Sequence, residues 1–234
     1  MKWYACLWAT NHDLPQLQAI LEQAGRAAQQ TGAAESLARA SLLRGVNLVS
    51  QGQWEEAGVF LEDALQRAQP NVPNVELEAR LELANILQYK HRFAEAREHL
   101  EKALALSNRL SDLRAEARVR WDLNLFDGDA AGQARFALEL VERAFHTNTP
   151  VILIDLGSSI VGALVRAGNP GEALRQAERM LAFSREQGIL SFVKTVQRAL
   201  ARVHVEIGQY ESALQLAKEA LAASRLTNYR YGEM

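Results

Sequence analysis

Apolar and small side chains recur along this chain with the spacing of amphipathic helices. One such stripe has four members, which lie three or four residues apart: Leu77, Leu81, Ala84 and Leu87. Residues with this spacing share one face of a helix, whereas the side chains of a β-strand alternate between two faces. A similar stripe contains Ile160, and polar residues fill the positions between. The pattern predicts an all-α protein in which each helix buries one face.

A short phrase follows these stripes and recurs through the chain. It consists of a turn, an aromatic residue or proline, and then a small residue inside the next helix. The Ala or Leu that marks this last position occurs at positions 17, 57, 96, 134, 173 and 213, so the interval is 38 to 40 residues. A fixed period of this length is typical of repeat proteins. We therefore expect one helix before each turn and one after it.

The turns predict tight helical hairpins. Three of them contain a glycine, at Gly52, Gly168 and Gly208, and glycine readily adopts the left-handed conformation that ends a helix. The residue after each turn is expected to begin the second helix, at Trp54, Phe93, Pro170 and Tyr210. Because the aromatic residues recur at repeat positions, Trp54, Phe93, Tyr210 and Trp121 are predicted to be core residues. The small marker residue lets the two helices approach closely.

The order of residues in this phrase resembles the tetratricopeptide (TPR) repeat. The resemblance rests on a small residue (Gly45, Ala84, Ala201), an apolar residue three positions later (Leu48, Leu87), and then glycine, an aromatic residue and alanine. It covers nearly the whole chain, but the period exceeds the 34 residues of the standard motif. Such long repeats resemble the TPR-like superhelices of MalT-type bacterial regulators and of Rap- and PlcR-type peptide receptors. The resemblance implies a right-handed superhelical solenoid of stacked antiparallel hairpins, with about 11 to 12 helices.

The boundaries between repeats are predicted at polar stops. The expected single repeat domain, 1–234, then divides into units at approximately 1–32, 33–71, 72–111, 112–149, 150–188 and 189–228, with 229–234 starting a truncated further unit. The first unit is expected to begin inside a helix. From these ends we expect an excised segment, or a small protein that pairs its ends with a second copy.

Composition adds limits to this interpretation. Of 234 residues, Lys and Arg number 26 and Asp and Glu number 28, which gives a net charge of −2. This balance gives no reason to expect direct contact with nucleic acid or an anionic membrane. The lone Cys6 cannot form an intramolecular disulfide, so a reducing cytoplasm is expected. No run of about twenty apolar residues predicts a membrane span.

Motifs for catalysis, cofactors and metals are absent from the sequence. It lacks the phosphate-binding loop, the His-Glu-x-x-His motif and cysteine pairs. The five histidines are scattered over different repeats. We therefore expect a protein that is not an enzyme, with no cofactor and no bound metal.

The resemblance to TPR repeats places partner binding on the concave face, which the first helix of each repeat lines. The register assigns eleven residues to this face: Glu78, Glu82, Asn85, Gln88, Tyr89, Glu116, Arg120, Asp155, Arg166, Arg198 and Arg202. The alternative is that these charges only keep the helices solvated. As a binding face, they would suit an extended peptide with a basic middle and an acidic part near Arg198 and Arg202. Asn85 alone matches the carboxylate clamp of chaperone-binding TPR domains.

Two functions are compatible with these features. The first is a non-catalytic scaffold that binds a protein or peptide on its concave face. The second is the ligand-sensing or oligomerisation segment of a larger bacterial transcriptional regulator of the MalT type, whose DNA-binding domain would lie outside this sequence. A homo-oligomer formed through the unfinished ends is compatible with either.

Overall fold

The chain folds into helices joined by short turns. The computed structural model describes residues 14–68, 71–147, 151–186 and 190–226, and within these ranges it contains eleven helices and no strand. The predicted start of the chain inside a helix lies outside the described residues. The helices are α1 (Leu14–Thr31), α2 (Ala34–Ser50), α3 (Trp54–Ala68), α4 (Pro73–Tyr89), α5 (Phe93–Leu110), α6 (Leu113–Asp127), α7 (Ala130–His146), α8 (Val151–Arg166), α9 (Pro170–Glu186), α10 (Leu190–Glu206) and α11 (Tyr210–Leu226).

The predicted hairpin turns are confirmed. Gly52, Gly168 and Gly208 each have φ of +75°, and the second helices begin at Trp54, Phe93, Pro170 and Tyr210 as expected. In each turn the amide of the residue after the glycine donates a hydrogen bond to a carbonyl five residues earlier, as from Gln53 to Leu48 at 3.0 Å. This bond satisfies a carbonyl at the end of the helix. His91 takes the place of glycine in the turn between α4 and α5, with φ of +57°.

The marker alanines allow close packing between the two helices of a hairpin. Those described in the structure, at positions 57, 96, 134, 173 and 213, are all buried. Gly45 shows how little space remains between α2 and α3. A Cβ atom added to this glycine would lie 2.7 Å from Leu61 Cγ. The small residues are therefore required by the contact between helices.

Residues 14–126 form one compact unit, which contains α1 to α5 and all but the last residue of α6. Helix α4 is buried on two sides in this unit. Val75, Ala79 and Leu83 face a core built with α2 and α3, whereas Leu77 and Leu81 face a second core built with α5 and α6. One helix thus contributes to two adjacent hydrophobic cores, which is how stacked repeats share their interior.

Residues from 127 onward form the second compact unit, whose described part contains α7 to α11. Helix α8 packs against α7, α9 and α10, and α10 packs in turn against α9 and α11. The boundary between the two compact units falls inside the predicted repeat 112–149. None of the helices in the described ranges is long and apolar enough to cross a membrane.

The prediction that the aromatic residues at repeat positions are core residues is wrong for two of them. Trp121 is buried, but Phe93 and Tyr210 are 49% and 68% exposed. Both residues begin a second helix. Their rings therefore lie at the edge of a hairpin, where one neighbouring helix has just ended. Trp54 is partly buried, because it packs against the core that α2, α3 and α4 share, and the ring of Tyr89 stacks on it at a centroid distance of 4.8 Å.

Candidate binding faces on the first helices

The helices that precede the hairpin turns lie side by side within each compact unit. These first helices are α2, α4 and α6 in residues 14–126, and α8 and α10 in residues 127–226. Contacts join α2 to α4 and α8 to α10. Helices α2, α4, α8 and α10 each pack against the second helix of their hairpin on one side, so their exposed residues lie on another. Adjacent first helices therefore present neighbouring polar surfaces, which we call the α4/α6 face and the α8/α10 face.

Ion pairs between helices cross the α4/α6 face. Arg114 pairs with Glu78, and Arg118 Nη1 donates a hydrogen bond to Glu82 Oε1 at 3.1 Å. Each pair joins residues that are 36 positions apart. All four side chains are largely buried. The acidic residues assigned to a basic peptide are thus engaged by arginines of the same protein.

Burial dominates the electrostatics of this face. It raises the pKa of Glu78, although the positive charges of Arg114 and Arg118 act in the opposite direction. Burial also raises the pKa of Asp122 to about 6. The positive charge of Arg118 opposes this rise, and the negative charge of Glu82 adds to it. Carboxylates lose hydration when they are buried, which favours their protonated form. Two carboxylates of α4 are thus paired with arginines of α6 on the α4/α6 face, and the positive charge of Arg118 also opposes the rise in the pKa of Asp122.

The other residues predicted on α4 differ in exposure. Asn85 is exposed, and Tyr89 is 64% exposed with its ring stacked on Trp54. Gln88 is partly buried, and its Nε2 atom makes no hydrogen bond to any of the described residues. Glu82, Asn85 and Tyr89 lie three and four residues apart, so they share one stripe of α4.

Glu116 and Arg120 interact with each other along α6. Arg120 Nε lies 2.9 Å from Glu116 Oε1, one turn away. Each of these residues lies two positions beyond an arginine of the interhelical pairs, Arg114 or Arg118. Two positions turn a helix by about 200°. The structure therefore places Glu116 and Arg120 on a different side of α6 from the ion pairs with α4.

The α8/α10 face has a different character. Arg198 and Arg202 are exposed and form no ion pair with any of the described residues. Arg166 is also exposed, and its Nη2 donates a long hydrogen bond of 3.4 Å to Gln133 Oε1. Asp155 belongs to α8, but its side chain lies outside the described residues. This face thus carries three arginines without a carboxylate partner in the described part of the chain.

The two arginines of α6 that pair with α4 were not predicted from the sequence to lie on the α4/α6 face, although the sequence contains a signal for them. Arg114 and Arg118 follow Glu78 and Glu82 by slightly less than one repeat period. Opposite charges at this interval on consecutive first helices indicate pairing between these helices. Among the described residues, no group of three or more His, Cys, Asp or Glu side chains is arranged to hold a metal ion.

Comparisons with known proteins agree with this architecture. The tetratricopeptide repeat family model matches residues 77–112 and 195–227. The first segment covers α4 and α5, and the second covers most of α10 and α11. No curated protein sequence matches the chain. The structure defines the class of helical-hairpin repeat proteins, and two of its hairpins match the tetratricopeptide repeat model, as the sequence resemblance implied.

Solved structures show the same fold. BtubC from P. vanneervenii has a TM-score of 0.61 at 16% identity, and the match covers 92% of this chain and 90% of that one. TPR-like repeats of a kinesin light chain from Podosopora anserina have a TM-score of 0.55 at 21% identity, with coverage of 83% and 98%. At these identities the likeness concerns the fold alone.

A further similar structure is part of a larger protein. It is a Signal Transduction ATPase with Numerous Domains (STAND) protein with a tetratricopeptide repeat sensor, from Pyrococcus horikoshii. The TM-score is 0.61 at 17% identity, and the match covers 83% of this chain but 31% of that one. This chain therefore corresponds in length to about a third of the STAND protein.

Proposed function

We propose that this protein is a non-catalytic scaffold that binds a protein or peptide on the exposed faces of its first helices. The observation that carries the proposal is the side-by-side packing of first helices, α2 with α4 and α8 with α10, in a tetratricopeptide-type array. Such arrays form extended surfaces that single domains of this size do not offer. The single cysteine supports a cytoplasmic location for this activity.

The polar character of the first helices supports the same proposal. A surface that only kept the protein soluble would need no shared orientation of its side chains. Here the exposed residues of α8 and α10 lie on adjacent helices in matching register. No group of residues in the described part of the chain is arranged as a metal centre. The matching register of these exposed side chains supports a role in binding.

A library of random twelve-residue peptides, displayed and selected on the full chain, tests this proposal. A photo-crosslinking residue placed at Asn85 or Ser159, which are exposed on first helices, should attach to the selected peptides. The same residue at Lys102 or Lys218, which are exposed on second helices, serves as the matched control. Crosslinks only at the control positions, or no enriched peptide, would contradict the proposal.

The second candidate is a sensor or oligomerisation segment of a larger regulator. The similarity to the STAND protein with a tetratricopeptide repeat sensor favours it. This candidate predicts that the gene encodes a nucleotide-binding or DNA-binding domain beside these residues. It also predicts that a ligand changes the mass of the particle in solution, which light scattering measures. A gene that encodes only these repeats would contradict it.

A further inference from the structure

The arginines of the first helices α2, α4 and α6 pair with carboxylates of this protein, whereas Arg109, Arg135 and Arg185 on second helices are exposed without such a partner among the described residues. Eleven of the described arginines lie within 4.0 Å of an Asp or Glu oxygen. The α4/α6 face shows this pairing, with Glu78 and Glu82. The α8/α10 face does not show it. Arg166, Arg198 and Arg202 are exposed there without such a partner among the described residues.

The neighbouring positions on α8 are small. Counted back from the turn glycines Gly168 and Gly208, Ser158 has the register of Arg198, and Gly162 has the register of Arg202. Ser158 is exposed, and a Cβ atom added to Gly162 would meet no atom closer than Arg166 Nη1 at 3.4 Å. Small residues on one helix thus lie in register with arginines on the next, and the side chain nearest to the Gly162 position is itself an arginine of this face.

We infer that the α8/α10 face binds an extended acidic peptide segment in which two Asp or Glu residues are separated by one other residue. Arg198 and Arg202 are four residues apart, which corresponds to a rise of about 6 Å along the helix. Side chains at alternate positions of an extended chain are spaced by about 6.6 Å and point to the same side. Two carboxylates with this spacing can therefore each meet one arginine. This inference rests on the proposed function and adds the chemistry of the partner.

The acidic stretch of the partner is short. Glu206 follows Arg202 by one turn and is exposed, so it would repel a further carboxylate at that end. Arg166 has the register of Glu206 on the adjacent helix α8. A polynucleotide carries charge along its whole length and suits this mixed surface less well than a peptide with two acidic residues. The net charge of −2 also gives no general attraction for nucleic acid.

The peptide library described above also tests this inference. The enriched sequences should contain Asp or Glu at alternate positions more often than at adjacent ones. A labelled peptide with an Asp-Ser-Asp core should bind the charge-reversed variant R198E/R202E at least tenfold more weakly than it binds the unmodified chain. The control variant R135E/R185E changes two exposed arginines of α7 and α9 and should alter the affinity less than twofold.

Two further measurements distinguish a loss of specific binding from misfolding of the variants and from non-specific attraction between charges. Circular dichroism must show that both variants remain helical. Gly162→Leu adds a bulky side chain beside the arginines without removing charge. This variant should bind the same peptide more weakly than the unmodified chain does. Enriched peptides without acidic residues would overturn this inference and leave the proposed function standing, whereas an empty selection would overturn both. Equal affinity for an oligothymidine of similar length would also overturn the inference.

Discussion

Arg118 Nη1 lies 3.1 Å from Glu82 Oε1 and joins two first helices that belong to consecutive repeats. Glu82 is buried, and the Arg118 side chain is largely so. The pair with Arg114 repeats this arrangement one turn earlier on each helix. Interhelical ion pairs therefore occupy the α4/α6 seam beside its hydrophobic core.

Removal of one partner from this seam should destabilise the fold. Arg118→Ala leaves the buried carboxylate of Glu82 without its partner, which generally costs about 3 kcal/mol. Arg39→Ala is the matched control, because Arg39 and Glu35 form an exposed pair, and it should cost about 0.5 kcal/mol or less. Urea unfolding followed by circular dichroism measures both values. Equal losses of unfolding free energy in the two variants would show that the buried pair contributes no more to stability than the exposed pair does.

Asp122 should make the stability depend on pH. Burial raises the pKa of Asp122 from 3.8 to about 6. Between these values the folded state holds a proton that the unfolded state has lost, so the free energy of unfolding falls as pH rises through this window. Asp122→Asn cannot titrate. The difference in unfolding free energy between the unmodified chain and this variant should therefore change between about pH 4 and pH 6, and a constant difference would contradict the assignment.

The turn at His91 should be improved by glycine. Its φ of +57° is a left-handed conformation, which costs a residue with a Cβ about 1 kcal/mol or more. His91→Gly should therefore raise the melting temperature, since the three equivalent turns already use glycine. His91→Ala is the control, because it removes the ring that contacts Phe93 but keeps the Cβ. A melting temperature of the glycine variant no higher than that of the alanine variant would contradict the prediction.

Gly45 should not tolerate a methyl group. A Cβ atom there would lie 2.7 Å from Leu61 Cγ and 3.3 Å from the Ala57 carbonyl oxygen, so Gly45→Ala should lower the free energy of unfolding by about 1 to 3 kcal/mol. Gly58 in α3 has no atom within 4 Å of the same position. Gly58→Ala should therefore raise stability by up to about 1 kcal/mol through helix propensity. Thermal unfolding of both variants measures the two changes in stability. A change in the same direction in both variants would contradict the prediction.

The helices and their hairpin partners could be predicted from the sequence because they depend on local and periodic signals. Glycine at Gly52, Gly168 and Gly208 identified the turns, and the marker alanines identified the close contacts. The left-handed conformation of His91 was not predicted. Glycine indicates such a conformation in a sequence, whereas histidine does not. The burial of Phe93 and Tyr210 was predicted wrongly, since recurrence at a repeat position does not reveal which side of a hairpin a ring occupies.

The candidate faces could be predicted only in part. The register identified Glu78 and Glu82 on a first helix, but their neutralisation depends on the stagger between α4 and α6. A period of about 39 residues does not specify this stagger, so Arg114 and Arg118 were overlooked in favour of Glu116 and Arg120. Arg198 and Arg202 are exposed, and their assignment to a binding face stays a prediction. Their lack of a carboxylate partner became visible only when the ion pairs of the other arginines were known.

Hydrogen–deuterium exchange on the full chain, with and without a peptide enriched from the random library, measures the central claim most directly. A scaffold that binds through its first helices should show slower exchange in α8 and α10 when the peptide is present. The second helices α9 and α11 of the same repeats should change much less. Slower exchange confined to α9 and α11, or no change in any helix at a saturating peptide concentration, would contradict the claim.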